Sequence, residues 1–504
     1  AGHIVVTLQE NNHLVVLERD GTVVTHFPAG DVDLFHVDTE EEGALHFTNT
    51  LLDVPREPDA VQWLDANRFV IANEGDYQGG SRGFTIMNQG GDVLYESGMA
   101  FEHEVAMHGH YPEGRSGNKG VEPEGMEVGV FEGETYIFLL AERSSLIGVY
   151  RDTGAEPELV QMLPTALSPE GAVAIPERNL LAVSNEVDLG PDGGVRSHVT
   201  LYAFGADAPA YPHLRSVRDA SGAPIGWGAI SGMVADSDEA GILYAVNDSF
   251  YGMQPTIFTI DARQTPAVIT NALPVLRNGA AAQLLDLEGV TMDGDGNFWV
   301  ASEGRTDRMI PHGIYHVDGQ TGEIVASVAF PAELLAVERR HASEGVTLVG
   351  STLWVAIQRQ WADDPADTVK LVAYDLETET WSAVRYPTEP AAAGWVGLSE
   401  ITAHGEYVYI VERDNQIGAA ANIKSLYRVP LAEMQGAPLG GDLPVVSKEL
   451  VRDLLPDLRA TGGYVVDKVE GFAVDLDGRA FVSTDNDGVD DSNGETLFFE
   501  IALD

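Results

Sequence analysis

The feature of this chain that most restricts its fold is a short pattern that recurs eight times. A copy begins with an acidic residue, replaced once by serine, and in most copies a small residue and a β-strand follow. A second strand ends in polar residues 12 to 18 positions later. The copies begin at Asp59, Glu124, Glu170, Ser231, Glu288, Glu344, Glu400 and Glu470. Regular repetition of strand pairs, with little helical periodicity, predicts an all-β protein.

The geometry of a hairpin places both polar ends of each copy on one side of the molecule. In an antiparallel pair, the start of the first strand lies beside the end of the second strand. In a β-propeller the first strand of every blade lines the central channel, so the starting residues would point to one axis. We therefore predict a single β-propeller domain over residues 1–504, with seven or eight four-stranded blades and the glutamates at one end of its channel.

Composition excludes several classes of partner. The chain has 79 acidic and 29 basic residues and a formal net charge of −50, which disfavours nucleic acid and anionic lipid and favours a salt-rich, halophilic source. No window approaches 18 uncharged apolar residues, so we expect no membrane insertion. The chain opens at Ala1 without the basic and apolar regions of a signal peptide. We expect a secreted or periplasmic protein whose signal peptide has been removed.

The chain has no cysteine, so carboxylates and histidines are the available strong metal ligands. Crowding where strands converge could explain the glycine that follows most of the acids, but it does not explain the glutamates. Carboxylates brought within ~4–5 Å repel each other by about 1–4 kcal/mol per pair, so a ring of glutamates needs cations among it. The predicted metal ligands are Glu124, Glu170, His198, Glu288, Glu344 and Glu470. Asp59 and Ser231 depart from the glutamate pattern, so we expect those two copies not to bind metal in the same way.

Histidine and arginine refine this prediction. His198 opens the third strand of the Glu170 copy, and His312 holds the equivalent place in the Glu288 copy, with a surface loop as the alternative for both. Arginines lie at the ends of second strands, where a guanidinium can hold two phosphate oxygens or pair with the glutamates. The predicted catalytic arginines are Arg143, Arg305 and Arg359, with Arg413 in the same type of position. The pattern favours a small anionic phosphate ester as substrate.

Several segments resemble known families. The segments Val6–Asn12, Pro58–Val61, Ala72–Asp76, Asn118–Gly125 and Ser168–Gly171 resemble the bacterial relatives of the mesenchyme-specific cell-surface glycoprotein, which include atypical alkaline phosphatases, over residues 1–205. From residue 225 to 504, the Glu-Gly strands, Val411–Asp414 and Val482–Asn486 resemble the domain called esterase-like activity of phytase. The chain is also similar to a propeller phosphotriesterase, which would imply seven blades, an exported enzyme and a two-metal, manganese-type centre.

Together these patterns predict a secreted, metal-dependent phosphoesterase that acts on phosphate monoesters, diesters or triesters. The expected cofactors are two divalent cations, manganese, iron or zinc, with calcium as a further ion, because an imidazole ligand suits transition metals better than calcium. Two alternatives stay open: a non-catalytic, calcium-binding surface propeller, and a lactonase-type propeller hydrolase with one metal and no arginine clamp.

Overall fold

The computed structural model describes residues 2–75, 77–192, 194–205, 211–304, 310–489 and 492–503. The protein is 48% strand and 8% helix and is built from small antiparallel sheets, so the predicted all-β fold is confirmed. Within the described ranges, no helix is both long enough and apolar enough to cross a membrane. The α-helices are α1 (Ala100–Met107), α2 (Ala332–Leu335) and α3 (Leu455–Arg459).

The chain divides into two compact units. Unit 1 comprises Ala1–Gly228 and Asn486–Glu495, and unit 2 comprises Ala229–Asp485 and Thr496–Asp504. Each unit contains copies of the repeated pattern. The expectation of one domain over residues 1–504 stays a prediction.

Unit 1 consists of hairpins and small sheets with neighbouring strands antiparallel. Its sheets have the strand orders β1-β2-β3, β4-β5, β6-β7-β8-β9, β10-β11-β12-β13 and β14-β15-β16. The strands are β1 (Ile4–Leu8), β2 (His13–Leu17), β3 (Val23–Pro28), β4 (Asp31–Val37), β5 (Asn49–Pro55), β6 (Pro58–Trp63), β7 (Arg68–Asn73), β8 (Phe84–Asn88), β9 (Val93–Glu96), β10 (Pro123–Phe131), β11 (Glu134–Ala141), β12 (Leu146–Arg151), β13 (Glu158–Pro164), β14 (Pro169–Ile175), β15 (Leu180–Asn185), β16 (His198–Ala203) and β17 (Leu214–Ser216).

The first strands of these sheets lie in a row, because β1 contacts β6, β6 contacts β10 and β10 contacts β14. Apolar side chains fill the spaces between neighbouring sheets, as where Leu181 and Val183 pack with Phe138. Gly125 allows the close approach of β10 to β14, since a Cβ atom at this position would lie 2.2 Å from the carbonyl oxygen of Glu170.

Unit 2 repeats this design with more sheets. Its strand orders are β18-β19-β20-β21, β22-β23, β24-β25-β26-β27, β28-β29-β30-β31-β35, β32-β33-β34-β36 and β37-β38-β39. The strands are β18 (Ile230–Ala235), β19 (Ile242–Asn247), β20 (Thr256–Asp261), β21 (Ala267–Pro274), β22 (Leu276–Arg277), β23 (Ala280–Ala281), β24 (Leu287–Met292), β25 (Phe298–Ser302), β26 (Gly313–Val317), β27 (Ile324–Ala329), β28 (Ser343–Val349), β29 (Thr352–Ile357), β30 (Thr368–Asp375), β31 (Thr380–Pro387), β32 (Val396–His404), β33 (Tyr407–Asp414), β34 (Lys424–Pro430), β35 (Ala437–Pro438), β36 (Glu449–Asp453), β37 (Val469–Val474), β38 (Ala480–Thr484) and β39 (Phe498–Ile501).

The first strands of the larger sheets in unit 2 form a closed cycle. Contacts run from β18 to β24, β28, β32 and β37, and β37 returns to β18. The glycines of the repeated pattern lie where these strands approach each other most closely. A Cβ atom on Gly289 would lie 2.6 Å from the Cα atom of Gly345, and one on Gly232 would lie 2.7 Å from the Cα atom of Gly289. Crowding at the centre therefore explains the glycines.

The glutamate of the pattern is the extra residue of a β-bulge. The pairing of the first and second strands skips one residue at this point, which turns the side chain out of the regular alternation. The skipped residues in these copies are Glu124, Glu170, Glu288, Glu344 and Glu470. In the copy predicted to start at Glu400 the skipped residue is Ser399, so that start is wrong by one position.

Candidate functional site

Unit 1 gathers five carboxylates at the polar edge formed by the starts of β6 and β10 and the ends of β7 and β11. We call them the Glu124 group, and they are Asp59, Glu74, Glu122, Glu124 and Glu142. Within this group, the ligand atoms of Asp59, Glu74 and Glu124 lie within 4.8 Å of one another, and so do those of Glu122, Glu124 and Glu142. Glu124 belongs to both triads, so its carboxylate could bridge two cations. Asp59 lies inside the group, and the expectation that its copy does not bind metal like the others stays a prediction.

The charges in the Glu124 group are only partly compensated. Burial, a hydrogen bond to Glu142 and the charges of Glu142, Glu74 and Asp59 raise the pKa of Glu124 to about 9. The carboxyl group of Glu124 therefore holds a proton at neutral pH unless a cation takes its place. A cation would remove the repulsion among these carboxylates and displace that proton.

Basic side chains border the group on one side. Arg143 donates from Nε to Oε2 of Glu122 at 3.0 Å, and its Nη2 atom lies 3.3 Å from Oε1 of Glu142. Lys119 donates from Nζ to Oε1 of Glu74 at 2.9 Å. Arg143, a predicted catalytic residue, thus pairs with the buried glutamates while staying partly exposed.

Two further predicted ligands of unit 1 lie on the sheet β14-β15-β16, whose first strand contacts β10. Glu170 is exposed, and its pKa is raised by slight burial and by the charges of Glu186 and Glu142. His198 is exposed at the start of β16, where its Nδ1 atom lies against the carbonyl oxygen of Arg196. Within the described part of unit 1, the two closely spaced triads contain neither Glu170 nor His198. Their role as metal ligands stays a prediction.

Unit 2 carries a second polar edge at its closed cycle of first strands. We call it the Glu344 edge, and it contains Glu288, Glu344, Glu470, Glu303 and Asp286. Burial raises the pKa of Glu288 well above its usual value, and the charges of Glu344 and Asp286 add to this shift. Burial, together with the charges of Glu303 and Glu470, has the same effect on Glu344. The predicted ligands Glu288, Glu344 and Glu470 are therefore close enough to interact electrostatically. Among the described residues, however, they do not form a group whose ligand atoms all lie within 4.8 Å of one another.

The carboxyl groups of this edge differ in their partners. Glu288 accepts a hydrogen bond from Oγ of Ser231 at 2.5 Å, so the serine of the aberrant copy supports a glutamate of the next one. Burial raises the pKa of Glu303 to about 7, helped by the charge of Asp286. Glu470 behaves in the opposite way. Burial would raise its pKa, but Lys468 and Arg413 outweigh that effect and lower it.

Two arginines of the Glu344 edge share one tryptophan. Arg413 is buried and donates to Oε1 of Glu470 at 2.5 Å, and its guanidinium carbon lies 5.1 Å from the ring centre of Trp395. The guanidinium carbon of Arg359 lies 4.0 Å from the same ring centre, and Nε donates to Oε1 of Gln358 at 2.9 Å. Among the described residues, no carboxylate lies within ion-pair distance of Arg359, although the charges of Glu344 and Glu303 act on it. Its guanidinium is therefore not committed to one carboxylate.

A cavity of about 250 Å³ opens beside these arginines in unit 2. Arg359 and Trp395 line it together with the polar residues Gln360, Thr368 and Thr388, the carboxylates of Asp367 and Glu389, and the apolar residues Val369, Ala391 and Val396. The cavity therefore combines an aromatic face, one positive charge, two carboxylates and several hydrogen-bonding groups. Such a lining suits a compact polar molecule whose anionic group, if it has one, lies at Arg359.

Other polar positions of the repeats have structural partners. His312 is buried, accepts a hydrogen bond at Nδ1 from the N–H of Gly304 at 2.9 Å and contacts Glu338 through Nε2. Glu412 accepts hydrogen bonds from Lys448 at 2.7 Å and from the hydroxyl of Tyr386 at 2.9 Å. Arg305, a predicted catalytic residue, lies outside the described residues.

Sequence reasoning missed Glu74, Glu122 and Glu142 as possible ligands. Glu74 and Glu142 directly follow the second strands β7 and β11, and the hairpin geometry already placed the ends of those strands beside Asp59 and Glu124. Glu122 precedes its strand by one residue and could have been found from the acid-rich segment Glu122–Glu124. Trp395 gave no signal, because a single tryptophan after a glycine in a loop does not indicate a site.

Comparison with known proteins gives two family matches. Residues 225–488 match a family described as esterase-like activity of phytase, and residues 77–155 match the choice-of-anchor I domain. The first match spans nearly all of unit 2, including the Glu344 edge. No curated protein matches the chain.

Solved structures overlap with the chain only weakly. A protein of unknown function from Desulfotomaculum acetoxidans is 12% identical, with a TM-score of 0.23 over 64% of this chain and 88% of that one. A chain from a mitotic checkpoint complex is 9% identical, with a TM-score of 0.26 over 94% of both chains. The dihydro-heme d1 dehydrogenase NirN is 11% identical, with a TM-score of 0.25 over 89% of this chain and 74% of that one. These scores are too low to show a shared fold.

The match to the first family covers more than half of the chain, and its description is that of a hydrolase-like domain. It agrees with the resemblance that the Glu-Gly strands suggested for residues 225 onward. The resemblance to the mesenchyme glycoprotein and alkaline phosphatase group stays a prediction. The chain belongs to the family described as esterase-like activity of phytase.

Proposed function

We propose that this protein is an exported, metal-dependent hydrolase of phosphate esters and that unit 2 carries the reaction. The proposal depends chiefly on the surroundings of Glu344. Its side chain is buried, other glutamates lie close enough to raise its pKa, and two arginines lie on the same edge. Clustered carboxylates suit a divalent cation, and arginines beside them suit the phosphoryl oxygens of a substrate. The family match supports the hydrolytic part of this proposal.

The residues of the Glu344 edge would have different roles in the reaction. Glu288, Glu344 and Glu470 would hold the cation, which when bound lowers the pKa of a water molecule and neutralises phosphoryl charge. Arg359 would bind a non-bridging phosphoryl oxygen, because its guanidinium has no carboxylate partner among the described residues. Arg413 would act as a positioning residue, because it is already bonded to Glu470 and to Ser399.

The cavity beside Arg359 would hold the organic part of the ester. Its volume of about 250 Å³ fits a group the size of one six-membered ring with its substituents. The face of Trp395 would contact the ring, and Thr368 and Thr388 could bond hydroxyl groups. A small, polar phosphate ester is therefore the proposed substrate, whether a monoester, a diester or a triester.

The proposed cofactors are two divalent cations. The Glu124 group of unit 1 offers oxygen ligands from carboxylates, which favours manganese, magnesium or calcium over zinc. His198 was the reason to expect a transition metal, and it lies outside the two triads of unit 1. We therefore favour harder cations, with manganese and calcium as the first to test.

The proposed architecture is a propeller-like arrangement of sheets. The closed cycle of β18, β24, β28, β32 and β37 supports a ring of five blades in unit 2, fewer than the seven or eight expected for one ring. Export is supported by the choice-of-anchor match at residues 77–155. The inference of a salt-rich habitat rests on the net charge alone.

A second candidate function is a non-catalytic, cation-binding role for unit 1. The two all-carboxylate triads around Glu124 favour it, because oxygen-only ligand sets suit calcium, which often serves as a structural ion. This role is compatible with hydrolysis in unit 2. It becomes the whole function if no ester is hydrolysed.

One experiment separates these proposals. Metal content is measured on unstripped protein, and chromogenic phosphate monoesters, diesters and triesters are tested beside a carboxylate ester and a lactone, with and without chelator. We expect chelator-sensitive hydrolysis of at least one phosphate ester. Hydrolysis of the lactone alone would support the lactonase alternative, and calcium without any hydrolysis would support the structural role.

A further inference from the structure

The two sheets at the ends of the row in unit 1 each expose one apolar face. The row begins with the sheet β1-β2-β3 and ends with the sheet β14-β15-β16, as the contacts between first strands show. The inward faces are packed: Leu14 and Phe27 contact the core of the next sheet, and Leu181 and Val183 do the same at the other end. The side chains on the outward faces are exposed.

The outward face of β14-β15-β16 is uncharged. Its central cross-strand row consists of Val173, Ala182 and Leu201, and the rows on either side are Gly171, Ser184 and Val199, and Ile175, Leu180 and Ala203. Val199 is 68% exposed, Leu201 62% and Val173 57%. We call these nine residues the β16 face.

The outward face of β1-β2-β3 has the same character. Its cross-strand rows are Ile4, Leu17 and Val23, then Val6, Val15 and His26, and then Leu8, His13 and Pro28. Val23 is 56% exposed and Ile4 is 47% exposed. We call these nine residues the β1 face, and it contains no acidic residue.

Two acid-free faces are unexpected on this chain, which has 79 acidic residues among 504. Terminal units of repeat arrays normally have polar outer faces, because nothing packs on them. Contiguous apolar surface on a soluble protein usually marks a binding surface. Both faces are therefore built to pack against a further sheet.

We infer that a second copy of this chain supplies both sheets. The β16 face of one copy packs on the β1 face of the other, and the reverse contact forms at the same time. This arrangement has two-fold symmetry and joins two open rows of sheets into a closed one. Each contact repeats the packing of sheet on sheet that already joins β10–β13 to β14–β16 inside the chain.

The area of the faces favours a dimer in which both pairs of faces are in contact over a dimer with a single contact. A face of three short strands, about 4.8 Å apart and about 17 Å long, presents roughly 250 Å². One pair of faces would then bury about 500 Å², which is below the size of specific interfaces, whereas two pairs would bury about 1,000 Å² and reach its lower limit. Because each copy carries a net charge of −50, association should also strengthen as salt screens the repulsion.

The test is the mass of the full chain in solution, measured by analytical ultracentrifugation over a range of concentrations in molar salt. The variants are Leu201→Gln on the β16 face and Ile4→Gln on the β1 face. The control is Val160→Gln, which changes a valine of β13 that is 50% exposed and lies on neither face. Thermal unfolding of each variant checks that it is folded.

We expect a dimer for the wild-type chain and for Val160→Gln, and at least a tenfold weaker dimer for each face variant. A mixture of Leu201→Gln and Ile4→Gln keeps one intact pair of faces and should dimerise more tightly than either variant alone. A wild-type monomer at all concentrations would overturn the inference. So would a dimer that both face variants leave unchanged, or polymers that grow without limit.

Discussion

The Oε2 atom of Glu400 accepts a hydrogen bond from the backbone N–H of Met233 at 3.0 Å, which joins β32 to β18 in unit 2. Its Oε1 atom accepts the N–H of Ile401 at 2.9 Å. Glu400 stands where most of the other copies have glycine, and a Cβ atom on Gly345 would lie 2.4 Å from its Oε1 atom. The space that glycines leave at the centre of unit 2 is thus used by one buried carboxyl group.

Removal of this carboxyl group should destabilise unit 2. Glu400→Ala leaves the buried N–H groups of Met233 and Ile401 without their acceptor, which should lower the free energy of unfolding by about 2 to 4 kcal/mol. Urea unfolding measures the effect. Glu406→Ala, in the exposed turn that follows β32, is the control and should change stability by less than about 0.5 kcal/mol. Equal effects for the two variants would contradict this role of Glu400.

A methyl group at Gly289 should be costly. The Cβ atom would lie 2.6 Å from the Cα atom of Gly345 and 2.6 Å from the backbone nitrogen of Val346, and backbone atoms cannot move aside as a side chain can. Gly289→Ala should therefore lower the free energy of unfolding by about 1–3 kcal/mol or more. Gly294→Ala, in an open turn of the same hairpin, should be nearly neutral. The prediction fails if urea unfolding gives both variants the same midpoint and slope.

The sequence predicted the local pattern of strands well, but it does not encode the larger arrangement of the sheets. The strands after Glu124, Glu170, Glu288, Glu344 and Glu470 begin where the pattern placed them, because acid, glycine and alternating apolar residues specify a bulge and a strand locally. The start at Glu400 was wrong by one residue, because that copy has no glycine to mark its position. The closed cycle in unit 2 depends on contact between β18 and β37, more than two hundred residues apart, which no local pattern encodes.

For the candidate site, the sequence predicted which residues lie near each other but not the partners of their side chains. Hairpin geometry correctly brought Glu124 next to the end of its second strand, where Glu142 lies. The electrostatic contact of Glu288 with Glu344 and Glu470 also agrees with glutamates that start neighbouring first strands. Side-chain partners could not be predicted from the sequence. The hydrogen bond from Arg413 to Glu470 and the burial of His312 against Glu338 are therefore seen only in the structure.

The stability of chelator-treated protein should depend on the protonation of Glu124. A carboxyl group whose pKa rises from 4.5 to about 9 on folding favours the folded state fully below pH 4.5, and this contribution is lost as pH rises toward 9. The melting temperature without cations should therefore fall between pH 5 and pH 9, and added manganese or calcium should oppose the fall. Glu124→Gln should reduce both the fall and the response to cations.

Glu127→Gln is the matched control for this experiment. Glu127 lies on the same strand, is also half-buried and is outside the Glu124 group. It should keep the wild-type response of melting temperature to cations. The cation site in unit 1 is wrong if Glu124→Gln and Glu127→Gln respond to manganese and calcium alike.

Arg359 should contribute to substrate binding more than to folding. Arg359→Gln removes the guanidinium that lies over Trp395 without an ion-pair partner among the described residues, and should raise KM for a phosphate ester about tenfold to hundredfold. Arg428→Gln is the control, because Arg428 also lies over an aromatic ring, that of Tyr407 at 4.5 Å, but pairs with Glu449. Steady-state kinetics should show a normal KM for Arg428→Gln, and an unchanged KM for Arg359→Gln would remove Arg359 from the proposed site.

Cation-dependent hydrolysis at the Glu344 edge is tested most directly by the rate of phosphate-ester hydrolysis by wild-type protein and by Glu344→Gln, each measured before and after chelation and after readdition of manganese or calcium. We expect hydrolysis by the wild type that chelation abolishes and readdition restores. We expect a rate at least about a hundredfold lower in Glu344→Gln, because loss of a ligand costs cation binding and activity together. Phosphate-ester hydrolysis that survives both chelation and Glu344→Gln, or its complete absence from the cation-loaded wild type, would contradict the claim.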